Sequence, residues 1–500
     1  MSRFVLAVDH GTTSTRAIVF DAQGKRVATG QLAHAQHTPA PGWVEHDASE
    51  IWLNTREVIG QSLGQAGLTR HDIAAVGVTN QRETTVVWDR RDGKPVAPAI
   101  VWQDVRTDDV VASVVDRVGE AELRRRTGLP PSTYFSVSKL LWILDRVPGV
   151  RRAADAGHLL FGTMDSWLLW NLTGGPDGGI HMTEPTNASR TGLMDLRAHR
   201  WDDELLGVLD IPASMMPAIR PSMGEFGRAG EHSLLRGAPV TGVVGDQQAS
   251  LFAHGITRPG EAKCTYGTGG FVMVHTGDAP VDSQVGLIPT VACESVEGAR
   301  AYALEGSIAV AGSILQWLRD GLGILDDVAQ SERIAASVPE SGGVYLVPAF
   351  SGLYAPRWRP DARGTIVGLT AYADQRHLVR AALDAIALQV ADVVEAAELE
   401  SGLKIASLRG DGGAAVNDLL LQIQSDVLGV PVERPQMLEM TALGAALAAG
   451  IGAELWVDRD IAAQQALEPT RWQPSRDAQW RTEVRGQWNR AVERSLGWVA

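Results

Sequence analysis

The chain lacks several features that mark other classes of protein. Only two of its 500 residues are cysteines, so a disulfide framework is not expected. No apolar run approaches 18 residues, and no basic or apolar leader precedes the first strand-like run at Phe4, so neither a membrane span nor a signal peptide is predicted. Positive charge is in deficit: the net charge is -14, which disfavours nucleic acid as a partner. Together these absences predict a cytoplasmic protein without membrane insertion.

Common nucleotide and metal motifs are missing as well. Gly-Lys occurs only at Gly24-Lys25 and Gly93-Lys94, and neither is followed by Ser or Thr, so the sequence has no P-loop. No Gly-x-Gly-x-x-Gly occurs, and the twelve histidines do not have the spacing of metal ligands. Gly60–Gly64 matches the nucleophile elbow of hydrolases but lies inside a predicted helix. A nucleotide would have to be bound by a different motif.

The apolar pattern predicts an α/β protein with two related domains, residues 1–253 and 254–500. Each half opens with two short strands joined by a Gly/Thr turn. Strand–glycine–strand is a common pattern, so coincidence is the alternative interpretation. The predicted strand pairs are Phe4–Val8 with Ala17–Phe20, and Ala262–Tyr266 with Phe271–His275.

Two helices have clear signals. Asp47 and Glu50 have the spacing of a capping box, and apolar residues recur at helical spacing after them. A long amphipathic helix is predicted over His377–Leu399, with Gly402 just past its end.

The strongest motif is the run Asp9–Arg16, which follows the first strand. Gly11 allows a tight turn, and Thr12, Thr13 and Ser14 offer hydrogen-bond donors to phosphate oxygens. Arg16 adds a cation, and Asp9 could hold Mg²⁺ through water. Tyr266–Gly269 repeats the turn without the acid, and Arg409–Asn417 places glycines between a strand and a helix, which suits a flat ring or a phosphate. An ordinary tight turn is the alternative for both of these later segments.

Two polar segments suggest a binding site for a polar substrate. Thr79–Thr84 contains Arg82 and Glu83, a donor and an acceptor that suit a polyol, although an exposed loop with a solvated ion pair is the alternative. Asp246 follows the apolar run Val240–Val244 and could be a helix N-cap.

At these residues the chain resembles the FGGY carbohydrate kinases over nearly its whole length. Further segments carry the resemblance: Pro41–Asp47, Ile100–Gln103, Phe161–Thr163, Thr186–Thr191, Tyr302–Gly306, Glu433–Pro435 and Thr441–Ala446. The resemblance implies a two-domain, actin-like (ribonuclease-H-like) ATPase fold with a central cleft. It also implies ATP-dependent phosphorylation of glycerol to glycerol 3-phosphate, with Mg²⁺, and a homodimer or homotetramer.

The resemblance assigns roles position by position. It makes Asp246 the general base and Asp9 and Asp246 the candidate metal residues. Substrate contacts fall on Arg82, Glu83, Trp102, Tyr134, Asp246, Gln247 and Phe271. Nucleotide contacts fall on Thr12, Thr13, Ser14, Arg16, Thr268, Gly312, Gln316, Gly413 and Asn417.

Three positions depart from the family pattern. His10 stands where Gln is usual and could titrate near neutral pH. Tyr354 and Arg359 stand where Gly and Asp are usual. The alternatives to a glycerol-phosphorylating enzyme are a kinase of another polyol or ketose, such as erythritol or xylulose, an actin-like ATPase that is not a metabolic enzyme, and a catalytically silent regulatory protein.

Overall fold

The computed structural model describes residues 4–294, 298–456 and 469–499. Its strands are β1 (Phe4–His10), β2 (Ser14–Phe20), β3 (Arg26–Ala33), β4 (Glu45–His46), β5 (Ile73–Asn80), β6 (Val86–Asp89), β7 (Ala99–Ile100), β8 (Leu159–Gly162), β9 (Met182–Thr183), β10 (Met194–Asp195), β11 (Arg200–Trp201), β12 (Ala218–Ile219), β13 (Met223–Arg228), β14 (Pro239–Gly245), β15 (Ala262–Tyr266), β16 (Gly270–Gly277), β17 (Ile288–Val291), β18 (Tyr302–Ile308), β19 (Tyr345–Val347), β20 (Thr365–Val367), β21 (Leu408–Asp411), β22 (Val432–Arg434) and β23 (Thr470–Trp472).

The α-helices surround these strands. They are α1 (Ala48–Ala66), α2 (Asp108–Val118), α3 (Glu120–Thr127), α4 (Ser136–Arg146), α5 (Val150–Asp155), α6 (Met164–Thr173), α7 (Pro185–Ala188), α8 (Asp203–Val208), α9 (Asp246–Ala253), α10 (Gly312–Asp320), α11 (Ser331–Ala335), α12 (Gln375–Ser401), α13 (Asp418–Leu428), α14 (Met440–Gly452) and α15 (Ala478–Arg494). Among the described residues, no helix is both long enough and apolar enough to cross a bilayer.

Two mixed sheets with the same central order organise the molecule. In the first, β1 pairs antiparallel with β2 and parallel with β5, and β14 follows beyond β5. In the second, β15 pairs antiparallel with β16 and parallel with β21, and β22 follows. Both Gly/Thr turns therefore lie at the carboxyl edge of a parallel strand, where open α/β sheets bind ligands.

The first sheet is covered on both faces, which explains the continuous apolar run of β1. Leu6 and Val8 pack in the cluster that contains residues of α1. Val5 and Ala7 pack in the cluster that contains α14, a helix from the second half of the chain. A Cβ atom on Gly77 of β5 would lie 2.2 Å from the carbonyl oxygen of Ala445, so this strand needs a glycine where α14 crosses it.

The two helices predicted from sequence are present. Helix α12 is somewhat longer than predicted, and Gly402 ends it in the left-handed conformation at φ 69°. Helix α1 has Asp47 as its N-cap, whose side chain accepts from the backbone N–H groups of Ser49 and Glu50. The predicted capping box is wrong in its second half, because the Glu50 carboxylate accepts from the N–H of Ala35 instead.

Candidate active site

The first Gly/Thr turn holds an acid–base cluster at the end of β1. The N–H of Gly11 donates to the carbonyl of Ser14 at 3.0 Å, which closes the turn. Arg16 lies 2.9 Å from the buried carboxylate of Asp9 and 2.6 Å from Glu439, which precedes α14. The C-terminal half of the chain thus supplies an acid that the sequence did not associate with this turn.

The electrostatics of Asp9 fit a bound cation. Burial raises the pKa of Asp9, and the nearby carboxylates of Asp246 and Glu439 raise it further, while Arg16 opposes the shift. In the described part of the chain no cluster of three or more His, Cys, Asp or Glu side chains could enclose a metal ion. Mg²⁺ is commonly held by one or two carboxylates, water and substrate phosphates, so this donor set fits the ion.

The second Gly/Thr turn packs directly on the start of α10. The carbonyl of Thr268 accepts from the N–H groups of Ala311 and Ser313 at 2.9 and 3.1 Å. A Cβ atom on Gly312 would lie 2.8 Å from the carbonyl oxygen of Gly267, so the close approach requires glycine. Gln316 is exposed one turn further along the helix.

The turn after β21 lies beside the second Gly/Thr turn because β15 and β21 are parallel neighbours. Gly413 opens a short 3₁₀ turn and is exposed. Asn417 caps α13 by accepting from the N–H of Leu420 at 2.9 Å, and its amide lies 3.4 Å from the hydroxyl of Ser331. The predicted nucleotide residues of the second half therefore share one edge of the second sheet.

The polar run between β5 and β6 is buried, so the exposed-loop alternative is wrong. Arg82 and Glu83 are each only 2% exposed. The guanidinium of Arg82 lies 3.0 Å from Asp246, whose side chain is 25% exposed. Glu83 adopts φ 62°, an uncommon conformation for a residue other than glycine.

Three aromatic rings lie together beside these charges. The ring of Trp102 is 5.6 Å from that of Tyr134 and 6.2 Å from that of Phe271, both edge-to-face. Phe271 belongs to the second sheet, so the two halves of the chain build this wall jointly.

Asp246 is the first residue of α9, and the N-cap position belongs to Gly245, so the suggestion that Asp246 is an N-cap is wrong. Oδ1 of Asp246 accepts from the N–H of Gln247 at 2.7 Å and also faces Arg82. Both of these contacts use Oδ1 and leave Oδ2 of Asp246.

Sequence reasoning did not assign roles to several charged residues of this region. Lys263 is buried and donates to Oε1 of Gln247 at 2.5 Å, which leaves the amide NH₂ of Gln247 to donate elsewhere. Glu305 bridges the guanidinium groups of Arg82 and Arg190. Lys263 and Glu305 each interrupt a buried, mainly apolar strand, and a charge in such a strand is the signal that could have identified them.

The three departures from the family pattern have local explanations. Nε2 of His10 donates to the hydroxyl of Thr55 at 2.7 Å, and burial lowers the pKa of His10 to about 3, well below neutral pH. Tyr354 stacks on Trp358 with ring centroids 6.0 Å apart. Arg359 forms an ion pair with Asp361 at 2.6 Å, near the surface.

Comparison with known proteins finds relatives over nearly the whole chain. Models of the N-terminal and C-terminal domains of the FGGY family of carbohydrate kinases match residues 4–253 and 262–453. The chain is 52% identical to a glycerol kinase of Pseudarthrobacter chlorophenolicus over all of this chain and 99% of that one. It is equally identical to a glycerol kinase of Azorhizobium caulinodans over the whole of both chains.

A solved structure gives the same result for the fold. The crystal structure of Plasmodium falciparum glycerol kinase with ADP superposes with a TM-score of 0.91 at 35% identity, covering 99% of this chain and 98% of that one. The predicted two-domain fold class is confirmed. The comparisons favour a metabolic kinase over the actin-like ATPase and regulatory alternatives.

Proposed function

Because the chain belongs to the FGGY family of carbohydrate kinases, we propose that it transfers the γ-phosphoryl group of ATP to a terminal hydroxyl of glycerol. The products are glycerol 3-phosphate and ADP. The observation that carries this proposal is the position of Asp246, whose carboxylate is held by Arg82 beside the aromatic wall of Trp102, Tyr134 and Phe271.

Each group has a chemical task in this reaction. Oδ2 of Asp246 takes the proton of the attacking hydroxyl as the oxygen bonds to the γ-phosphorus. Arg82, Glu83 and Gln247 hold the hydroxyls of glycerol, and the aromatic wall covers its carbon chain. Alignment of the attacking oxygen with the leaving ADP accounts for much of the rate enhancement in such transfers.

The nucleotide is held from both sheets. Thr12, Thr13, Ser14 and Arg16 face its phosphates from the first sheet, and Thr268 faces them from the second. Gly312, Gln316, Gly413 and Asn417 bind the rest of the nucleotide. Asp9, with Asp246 nearby, would hold Mg²⁺, and the ion would supply neutralisation of phosphate charge. The cytoplasmic location and the homodimer or homotetramer expected from the sequence belong to this proposal.

A substrate panel tests the function. ADP release should be measured at saturating Mg·ATP with each of four second substrates: glycerol, dihydroxyacetone, erythritol and D-xylulose. The Asp246→Asn variant serves as the inactive control. Glycerol should give the highest kcat/KM. A four- or five-carbon acceptor with a tenfold higher value would contradict the glycerol assignment, and ADP release independent of any acceptor would contradict the kinase.

A further inference from the structure

Arg82 and Glu83, two of the residues proposed to bind the hydroxyls of glycerol, belong to a buried network of charged side chains. Glu305, on β18 of the second sheet, is fully buried, and its carboxylate spans two arginines from the first half of the chain. Its Oε2 accepts from Nη1 of Arg82 at 2.5 Å, and its Oε1 accepts from Nη2 of Arg82 at 3.0 Å. The same Oε1 accepts from Nη2 of Arg190 at 3.1 Å.

Arg190 joins the second acceptor residue to this network. It is fully buried, and its Nε donates to Oε1 of Glu83 at 2.6 Å. One guanidinium therefore contacts both carboxylates, Glu83 and Glu305. A planar fork of donors can do this, whereas a lysine presents a single ammonium group.

The carboxylate of Glu305 is charged at neutral pH. Burial alone would raise the pKa of Glu305, but Arg190 and Arg82 outweigh burial and lower that pKa to about 2. Glu305 and the two arginines that it contacts are therefore charged groups in a buried environment, where their mutual orientation is strongly determined.

The contacts within the network leave one N–H of Arg82 and one carboxylate oxygen of Glu83. Arg82 has five N–H donors. Both hydrogens of Nη1 serve Glu305 and Gln248, one hydrogen of Nη2 serves Glu305, and Nε faces Asp246. One Nη2 hydrogen of Arg82 remains. On Glu83, the contact with Arg190 uses Oε1 and leaves Oε2.

We propose that Arg190 and Glu305 are positioning residues for the acceptor. Glu305 fixes the guanidinium plane of Arg82 so that its remaining N–H donates to one acceptor hydroxyl, and Arg190 fixes Glu83 so that Oε2 accepts from another. Glu305 comes from the second sheet, whereas Arg82 follows a strand of the first. The N–H of Arg82 is therefore oriented only when the two sheets are positioned so that Glu305 contacts Arg82. The proposal rests on the function proposed above.

The variant that tests the proposal is Glu305→Gln, which keeps the shape and removes the charge. Its amide NH₂ would face the N–H groups of Arg82, so Arg82 should turn away. The KM for glycerol should rise about ten- to a hundredfold, as expected for loss of one charged hydrogen bond, while the KM for ATP should stay within about threefold. Arg190→Lys should raise the KM for glycerol similarly, because the lysine cannot contact both carboxylates.

The chain offers a matched control. Asp392 also bridges two arginines, Arg357 at 3.1 Å and Arg485 at 3.0 Å, and its side chain is 7% exposed. Asp392→Asn should lower the melting temperature without changing the KM for glycerol. An unchanged KM for glycerol in folded Glu305→Gln, or full activity in Arg190→Lys, would overturn the proposal.

A double variant covers the case in which Glu305→Gln does not fold. Arg82→Gln with Glu305→Gln removes one charge of each sign, and its KM for glycerol should equal that of Arg82→Gln alone, since Glu305 acts through Arg82. A higher KM in the double variant would show that Glu305 does not act through Arg82 alone and would overturn the proposal. A wild-type enzyme that does not phosphorylate glycerol would instead refute the proposed function.

Discussion

The indole Nε1 of Trp102 donates a hydrogen bond to the hydroxyl of Thr12 at 3.0 Å. Trp102 belongs to the aromatic wall proposed to cover the substrate, and Thr12 belongs to the turn proposed to hold the phosphates. The wall proposed to cover the substrate and the turn proposed to hold the phosphates are therefore joined by a direct side-chain contact. On the other side of the turn, His34 and Gln36 both donate to the carbonyl of Thr12 at 2.9 Å.

Replacing Trp102 by Phe should lower kcat while the apolar wall stays in place. The variant loses the bond that orients the Thr12 hydroxyl. A neutral hydrogen bond has a net value of about 0.5–1.5 kcal/mol, so kcat should fall about two- to tenfold in steady-state assays with both substrates saturating. Trp201 is the control, because its Nε1 donates to the Pro217 carbonyl and it is also half-buried. Trp201→Phe should keep wild-type kcat, and equal effects in the two variants would contradict the prediction.

Replacing Asp246 by Asn should abolish most turnover without unfolding the protein. The substitution keeps the side-chain shape and removes the basic oxygen, and loss of a general base lowers rates roughly a hundred- to ten-thousand-fold. The measurement is kcat with saturating Mg·ATP and glycerol. Asp203 matches Asp246 as the first residue of a helix but is exposed, so Asp203→Asn should leave kcat unchanged. Turnover within a few-fold of wild type would exclude Asp246 as the base.

Replacing Asp9 by Asn should change the response to Mg²⁺. If the carboxylate helps to hold the ion, the variant should need more Mg²⁺ for half-maximal activity. It should also have a kcat lower by roughly a hundredfold, because metal stabilisation of phosphate charge amounts to several kcal/mol. The measurement is a Mg²⁺ titration at constant ATP, with Asp21→Asn, in the turn after β2, as the control. A Mg²⁺ response identical to that of wild type would remove Asp9 from the metal site.

His46 should make stability depend on pH. Burial and the neighbouring His34 lower the pKa of His46 from 6.5 to about 3. The neutral ring fits its surroundings, because Nε2 donates to Gln36 at 2.9 Å while Nδ1 accepts from Gln81 at 3.3 Å. The unfolded chain binds a proton below pH 6.5 and the folded chain does not, so stability is complete above that pH and is lost as the pH falls toward 3.

The size of this effect follows from 1.36 kcal/mol per pH unit. Between pH 8 and pH 5 the free energy of unfolding should fall by about 2 kcal/mol on account of His46 alone. In His46→Gln the total loss, measured by urea denaturation at both pH values, should be smaller by that amount. His232→Gln alters an exposed histidine and should reproduce the wild-type difference. An equal loss in wild type and His46→Gln would show that His46 is not the group responsible.

Local patterns in the sequence predicted much of the framework. The run Phe4–Val8 lies within β1, and the spacing over His377–Leu399 lies within α12, because apolar periodicity reflects which residues must leave water. The two Gly/Thr turns and the polar run at Arg82 were also visible, since glycine and clustered polar residues mark places where the chain turns or binds. The roles of most candidate site residues came from resemblance to a family and not from these patterns.

Only the tertiary structure decided which partners these residues have. Arg82 and Glu305 are 223 residues apart, and Arg16 and Glu439 are 423 apart, and no local pattern encodes such pairs. Asp47 could be predicted as a cap because its carboxylate accepts from the N–H groups of the next few residues, whereas the Glu50 carboxylate accepts from the N–H of Ala35, 15 residues away. The amino-acid sequence by itself determined the strands, helices and turns, which depend on neighbours along the chain. Burial and charge pairing, which determine how Arg82, Glu83 and Asp246 can act, depend on neighbours in space.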